Sequence, residues 1–372
     1  MRILLIGGSG IISSEICKNL LDNGNEVTIF NRGKRKAQID SRAKLVIGDI
    51  RKETIDTIQN KIASQYEVIV DFISYDVEQI KKTIAISNGR CKQFIFVSSA
   101  TVYKETGLPY TEDSMIGNSE WDYSLQKTLC ERYLAEQTDL DFEYTIIRPY
   151  VTYSVTRIPY QFAPLEYYTI INRIKDERPI PIYGERIKCT VTYSKEFAVG
   201  AVGLMLNQKA YGQAFHITCS HVTTWEDIIN TVAAYYDKKP ILVKIPKETL
   251  LKHRTDAGFS IDEILGDKGR DMLFDNLKIK NAVPQFKGEI RFEQGIIEVL
   301  NNFENNPSLQ IVNFGWDGNV DRIISQCTKD KEILGTLNLK AYKNICPGNI
   351  EEKIYKKNRS IIYNRIKHLL NK

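Results

Sequence analysis

The run Gly7-Gly8-Ser9-Gly10-Ile11-Ile12-Ser13 follows the apolar stretch Ile3-Leu4-Leu5-Ile6 and opens a segment of helical periodicity. This order of strand, glycine turn and helix constrains the fold more than any other feature of the chain. Glycine lets the backbone turn tightly and come close to a pyrophosphate, and the free N–H groups at the start of the helix attract its charge. A second run, Glu26 to Asn31, comes after the turn residues Asp22-Asn23-Gly24-Asn25. Together they make the strand–helix–strand unit of a dinucleotide site.

The end of the second strand bears on which dinucleotide. NAD sites usually place an acidic residue there to accept from the ribose hydroxyls, but this chain has Asn31, followed by Arg32, Lys34, Arg35 and Lys36. Cations without the carboxylate favour a 2′-phosphate, so NADP(H) is expected, with NAD(H) as the alternative.

Further strand-like runs lie at 44–47, 67–72, 93–98 and 142–148, separated by segments with helical spacing. Repeated alternation implies an α/β fold, a doubly wound parallel Rossmann sheet with helices on both faces. The clearest long helix spans 121–137. A chain of 372 residues is long enough for about two domains. The expected division is an NAD(P)-binding Rossmann domain over 1–150, revisited between about 190 and 220, a smaller substrate-binding lobe over 151–305, and a basic helical extension over 306–372.

Pro159, Pro164, Pro179 and Pro181 punctuate the start of the lobe, which is rich in tyrosine. Segments 195–206 and 292–303 read as helices, and 214–218 and 240–245 as strands. Thr223 with Glu226 reads as a capping box that opens a helix running to Tyr236. His216, His221 and the Trp225 region are expected in the core or at a helix start, outside the chemistry. Residues 350–372 carry seven Lys/Arg against Glu351 and Glu352, with Ile354, Ile362, Ile366 and Leu369 at helical spacing. This amphipathic segment is expected to pack on its own catalytic domain.

A net charge of +5 does not call for a nucleic-acid partner. The seven cysteines are scattered, with no Cys-x-x-Cys, which points to neither a disulfide framework nor a metal site and fits a cytoplasmic protein. No stretch approaches the roughly 18 apolar residues of a membrane helix, and no secretory segment is expected before the first strand.

Two further places carry chemistry. Phe94-Ile95-Phe96-Val97-Ser98-Ser99-Ala100-Thr101-Val102-Tyr103 is a buried strand that ends in hydroxyls, and Tyr123-Ser124-Leu125-Gln126-Lys127 opens the long helix. On a helix, Tyr123 and Lys127 share a face. Opposite charges about 5 Å apart at an effective dielectric near 20 interact by roughly 3 kcal/mol, enough to bring a phenol toward service as a base at neutral pH. Ser99 at a strand end, then Tyr123 and Lys127 on the next helix, would all stand at the carboxyl edge of the sheet, where ligands bind in such folds.

These landmarks resemble the extended short-chain dehydrogenases/reductases of the NAD-dependent epimerase/dehydratase type, which act on nucleotide sugars. The resemblance covers about 1–305 and rests on GGSGIIS at 7–13, GDI at 48–50, SSATVY at 98–103, YSLQK at 123–127 and RPYVTY at 148–153. It implies that Gly7, Ser9, Gly10, Ile11 and Ile12 hold the pyrophosphate, Asn31, Arg32 and Lys36 the ribose end, and Asp49 and Ile50 the adenine. It also implies that Pro149 to Val151 line the nicotinamide and that Phe72 and Ser74 bind the cofactor. Tyr123 would be the acid–base group, Lys127 would hold the nicotinamide ribose, and Ser99 would bind the reacting sugar oxygen. Thr101 and Tyr150 would contact substrate, and Arg186 or Lys188 its diphosphate. A homodimer is expected by the same resemblance.

Departures from the family pattern matter too. Ser13 stands where glycine is usual, which is expected to loosen packing of the first helix. Sugar 4,6-dehydratases place an Asp-Glu pair directly after the catalytic hydroxyl residue, and Ala100-Thr101 stand here. Dehydration through that pair is therefore not expected, whereas the string Ser-Ala-Thr-Val-Tyr is similar to that of UDP-galactose 4-epimerases. A 4-epimerase is the leading expectation and an NADPH-dependent 4-ketoreductase the alternative. The Asn31-Arg32-Gly33 turn and Val70-Asp71-Phe72 also resemble the chloroplast stem-loop RNA-binding proteins, atypical members of the superfamily, so an idle RNA-binding relative is the third reading.

Overall fold

Strands β1 (Arg2–Ile6), β2 (Glu26–Asn31), β3 (Lys44–Ile47), β4 (Val68–Asp71), β5 (Gln93–Val97), β6 (Glu143–Pro149) and β7 (Gln213–Ile217) form one parallel sheet. Their order across it is β7-β6-β5-β4-β1-β2-β3. The computed structural model describes residues 1–34, 39–62 and 64–338. Lys36 and the segment 350–372 lie outside the described residues.

Side-chain alternation along the central strands sorts the core into two layers. Ile3, Leu5, Val27, Ile29, Val68 and Val70 pack with Ile16, Cys17 and Leu20 of α1 (Ile11–Asp22). Phe197 and Ala201 of α5 (Ser194–Gly203) complete that layer. The intervening Leu4, Ile6, Phe30 and Ile69 pack with α2 (Ile55–Ile62), α3 (Val77–Ser87) and α4 (Asp122–Ala135) through Ile58, Ile80, Ile84 and Leu134. Both faces being covered is why Ile3-Leu4-Leu5-Ile6 reads as an unbroken apolar run.

The chain runs outward from β1 through β2 to β3, then starts again on the other side of β1 with β4. The loops leaving β1 and β4 therefore diverge from neighbouring strand ends, which makes the crevice where doubly wound sheets take their ligands.

The chain divides into two compact units. The first comprises Met1–Ser154, Thr190–Val222 and Met272–Arg291, the second Val155–Cys189, Thr223–Asp271 and Phe292–Lys372. The return over 272–291 differs from the expected 151–305 lobe. Its cause is apolar: Ile279, Val283 and Phe286 are buried in the same cluster as Phe215 and Ile217.

In the second unit, helix Trp225–Tyr235 is capped by Thr224 rather than Thr223. The Thr224 hydroxyl accepts from the Asp227 N–H at 3.1 Å and donates to Asp227 Oδ2 at 2.7 Å, while Thr223 pairs with Cys189 in a two-residue ladder. The described part of the expected extension includes helix Phe314–Ile324, whose Asp317 and Asp321 accept from the fully buried Arg173 at 2.6 and 2.9 Å. Arg178 pairs with the same two carboxylates. Among the described residues no helix is long and apolar enough to cross a membrane.

Candidate functional site

The glycine turn is shaped by the loop after β4. Gly7 has φ +103°, a left-handed conformation, and a Cβ there would stand 2.2 Å from Ile73 Cγ2. A Cβ on Gly8 would meet Ile29 Cγ2 at 2.9 Å. The two strand-end loops thus lie against each other at the crevice, close enough that only glycine fits. Gly7→Ala is expected to cost about 1–3 kcal/mol of stability by urea unfolding, since Ile73 must move and the backbone is strained. It should also weaken dinucleotide binding in a fluorescence titration; wild-type values in both measurements would contradict the steric account.

Ser13 does not loosen α1. It is buried, its hydroxyl accepts from the Gly10 N–H at 2.7 Å and donates back to the Gly10 carbonyl at 3.2 Å, so it caps the helix. The N–H groups of Ile11 and Ile12 belong to the first turn, where no intrahelical acceptor exists, and suit an anionic ligand. The turn after β2 is closed from within: Asn31 Oδ1 accepts from the Gly33 N–H at 2.8 Å. Its amide group then offers a donor rather than a carboxylate, and Arg32 and Lys34 beside it are exposed. Asp49 makes a similar turn, accepting from the Arg51 N–H at 3.0 Å, and Ile50 is buried.

Lys127 is the centre of the arrangement. It is only 4% exposed. Its ammonium donates to the Ser74 carbonyl at 2.7 Å and to the Val97 carbonyl at 2.8 Å, the latter the last residue of β5. It also sits 4.8 Å from the centroid of the Phe96 ring and 5.9 Å from that of Tyr123. Burial pushes its pKa down, and Asp71, Cys130 and Glu131 oppose that shift. A solvated helix face would give Lys127 neither the burial nor the carbonyls.

The Ser74 loop is held in place by a residue that sequence reading named only for its resemblance and gave no structural role. Asp71, fully buried at the end of β4, accepts from the N–H groups of Ile73 and Ser74 at 2.9 and 3.0 Å and from the Thr83 hydroxyl at 2.7 Å. An aspartate closing an apolar strand was the available signal. Phe72 lies in the same loop, its N–H donating to the Ile6 carbonyl at 3.0 Å.

Ser99 follows β5 and caps a short 3₁₀ turn, Ala100–Val102. Its hydroxyl oxygen accepts from the Thr101 N–H at 3.3 Å and the Thr101 hydroxyl at 3.1 Å. With both acceptor positions taken, its own proton remains to donate to a substrate oxygen. Thr101, expected to touch substrate, has its hydroxyl turned to Ser99 and its carbonyl held by Asn118 Nδ2 at 2.9 Å.

The other end of this turn is anchored deep in the first unit. The Tyr103 hydroxyl accepts from Arg148 Nη1 at 3.0 Å and lies 3.1 Å from His216 Nδ1. Burial holds His216 down to about 4, so the imidazole is neutral, Nδ1 accepts from Tyr103, and Nε2–H donates to the Asp275 carbonyl. Arg148 makes three bonds of 2.7–3.1 Å to Glu131 of α4. Glu131, four residues beyond Lys127, is thus the partner of Arg148 that the sequence reading missed. Pro149 ends β6, and Tyr150 and Val151 after it are buried, Tyr150 with its ring 5.2 Å from Phe274.

The first unit accordingly bears the glycine turn, Phe72, Ser74, Ser99, Tyr123, Lys127 and the residues after β6, and Lys127 ties the Ser74 loop to the end of β5. Arg186 and Lys188 belong to the second unit. Arg186, with φ +46°, is exposed and pairs with Asp227 at 3.0 Å; Lys188 is exposed in the ladder with Thr224. Among the described residues no cluster of His, Cys, Asp and Glu is arranged to hold a metal ion.

The sequence model of the NAD dependent epimerase/dehydratase family matches residues 3–217. Chloroplast stem-loop binding protein of 41 kDa b from Arabidopsis thaliana is 24% identical over 248 residues, covering 62% of this chain and 62% of that protein. UDP-glucose 4-epimerase from Lactobacillus helveticus is 29% identical over 171 residues, covering 40% of this chain and 51% of that one. The chain thus spans between about half and three-fifths of the length of these curated relatives. Among solved structures, UDP-glucuronic acid 4-epimerase from Bacillus cereus, in complex with UDP-glucuronic acid and NAD, is similar with a TM-score of 0.64 at 16% identity. That likeness covers 82% of this chain and 99% of the other, and concerns the fold.

Proposed function

Because the chain belongs to the NAD dependent epimerase/dehydratase family, we propose that it is an NAD(P)-dependent epimerase of nucleotide-activated sugars. It acts by transient oxidation of a ring carbinol carbon, C4, with Tyr123 as the acid–base group. The observation that carries this reading is the burial of Lys127 against two carbonyls and beside Tyr123, in the unit that bears the glycine turn. An ammonium desolvated and hydrogen-bonded to neutral carbonyls favours negative charge on a neighbouring phenol, which is what a base at neutral pH needs.

The residues fit a dinucleotide. Gly7, Ser9, Gly10, Ile11 and Ile12 would hold its pyrophosphate, Asp49 and Ile50 its adenine, and Phe72, Ser74, Pro149 and Val151 the nicotinamide side. The Asn31 turn, with Arg32 and Lys34, supports NADP, whereas the name of the family and the NAD in the complex of the Bacillus cereus enzyme speak for NAD. When bound, the dinucleotide would supply the hydride-accepting and hydride-donating chemistry that transient oxidation of the carbinol carbon needs. Tyr123 takes the hydroxyl proton and gives it back. Ser99 donates to the same oxygen. Lys127 keeps the phenolate favourable and would hold the nicotinamide ribose.

The test is incubation of the protein with NAD⁺ or NADP⁺ and UDP-glucose, UDP-galactose or UDP-glucuronic acid, following the sugars by NMR and the coenzyme at 340 nm. The expected result is interconversion of epimers with no net change in coenzyme. In a parallel incubation with NADPH and a 4-keto sugar nucleotide, net consumption of NADPH would make it a ketoreductase, and no turnover of any sugar in either arm would overturn the enzymatic reading. In that event the Arabidopsis relative, named for binding a stem-loop, gives the second reading, RNA binding with a steep salt dependence that Tyr123→Phe leaves unchanged.

A further inference from the structure

Tyr123 touches two other aromatic rings. Trp121 lies 4.7 Å from it and Tyr75 5.8 Å, centroid to centroid. Trp121 is the N-cap of α4 and offers no side-chain cap to the helix, so the first turn, which carries Tyr123, lacks the usual anchor. The anchor comes instead from the loop after β4. The Tyr75 hydroxyl donates to Asp122 Oδ2 at 2.6 Å, and Asp122 is the first residue of α4.

Tyr75 follows Ser74, whose carbonyl accepts from Lys127. Two consecutive loop residues therefore grip the same helix on either side of Tyr123, one through Asp122 and one through Lys127. Tyr75 is itself fixed: its N–H donates to Gln79 Oε1 at 3.2 Å, and Gln79 Nε2 donates to Asp76 Oδ2 at 2.6 Å. The bond to Asp122, then burial, pushes the Tyr75 phenol up to about 12, so it remains a donor across the working pH range.

We propose that Tyr75 and Asp122 form a latch that orients the Tyr123 ring, making both of them positioning residues for proton transfer. The proposal rests on the reading of Tyr123 as the acid–base group. A phenol whose χ1 torsion and helix turn are free to move spends little time with its oxygen in line with a substrate hydroxyl, and a displacement of about 1 Å can cost about a hundredfold in rate. The latch restricts that freedom without touching the reacting atoms.

The test uses the full-length protein and the sugar-nucleotide assay, with Tyr75→Phe, Asp122→Ala, their double variant, Asp122→Asn and Tyr123→Phe. Tyr75→Phe and Asp122→Ala are each expected to lower kcat by about tenfold with KM for the sugar and coenzyme affinity unchanged. The double variant should be no worse than the poorer single one. Asp122→Asn should recover most of the rate, because its amide oxygen accepts the same hydroxyl. Wild-type kcat in both single variants, losses that multiply, an Asp122→Asn as poor as Asp122→Ala, or losses that track a falling melting temperature would each overturn the latch. Tyr123→Phe reports on the premise separately: if it retains activity, or if the wild type turns over no sugar, the premise falls and the latch with it. If Tyr123→Phe is inactive while Tyr75→Phe and Asp122→Ala keep full rate, the premise stands and the latch alone is wrong.

Discussion

Replacing Tyr123 by phenylalanine is expected to lower turnover by about 10²–10⁴-fold, the usual contribution of a positioned acid–base group. Phenylalanine keeps the ring that packs near Trp121, Tyr75 and Lys127, so the helix and the buried ammonium should stay in place. Only the proton-carrying oxygen is lost. The melting temperature and the affinity for the dinucleotide should therefore remain close to wild type while kcat collapses. Steady-state kinetics beside a thermal melt checks this, and a variant within about threefold of wild-type kcat would mean that the proton passes through another group.

The largest effect on stability is expected at the Arg148–Glu131 pair. Both side chains are nearly inaccessible, at 7% and 3%, and the guanidinium also donates to the Tyr103 hydroxyl and the Glu112 carbonyl. Glu131→Ala leaves a buried guanidinium without its counter-charge, a change that typically costs about 3–5 kcal/mol. Replacing both members, Glu131→Ala with Arg148→Met, removes the stranded charge and should be less harmful than Glu131→Ala alone. Urea unfolding of the wild type and the two variants checks the ordering. A loss below about 1 kcal/mol in Glu131→Ala would show that water reaches the pair and screens it. Since Arg148 also holds Tyr103 at the end of the turn that bears Ser99, Glu131→Ala should lower kcat beyond what its lost stability explains.

The strands and the glycine turn were legible because each is a local pattern. Lys44–Ile47 matches its apolar run residue for residue, and the β5 and β6 boundaries shift by only a residue from the ends of theirs. Tyr123 and Lys127 were legible for the same reason, being four apart on one helix. In two places where local reading failed, a distant segment had intervened. Thr223 lost the cap to Thr224 because it pairs with Cys189, and 272–291 joined the first unit because Ile279, Val283 and Phe286 found their apolar partners on α5 and β7. Ser13 looked like a missing glycine, yet its hydroxyl caps the turn that glycine would have left open.

The amino-acid order alone determined an alternating α/β chain, a glycine turn suited to a pyrophosphate, and three side chains able to do proton chemistry at one edge of a sheet. Periodicity and spacing suffice for that, because they act within a turn or a strand. Only the tertiary structure decided what surrounds those side chains: Ser74 and Val97 on Lys127, Asp71 under the Ser74 loop, Glu131 on Arg148, Tyr75 on Asp122. Except for the short Asp71–Ser74 span, these partners come from separate elements of the first unit. A buried charge takes its hydrogen bonds from whichever chain ends converge on it, and that convergence is a property of the folded sheet.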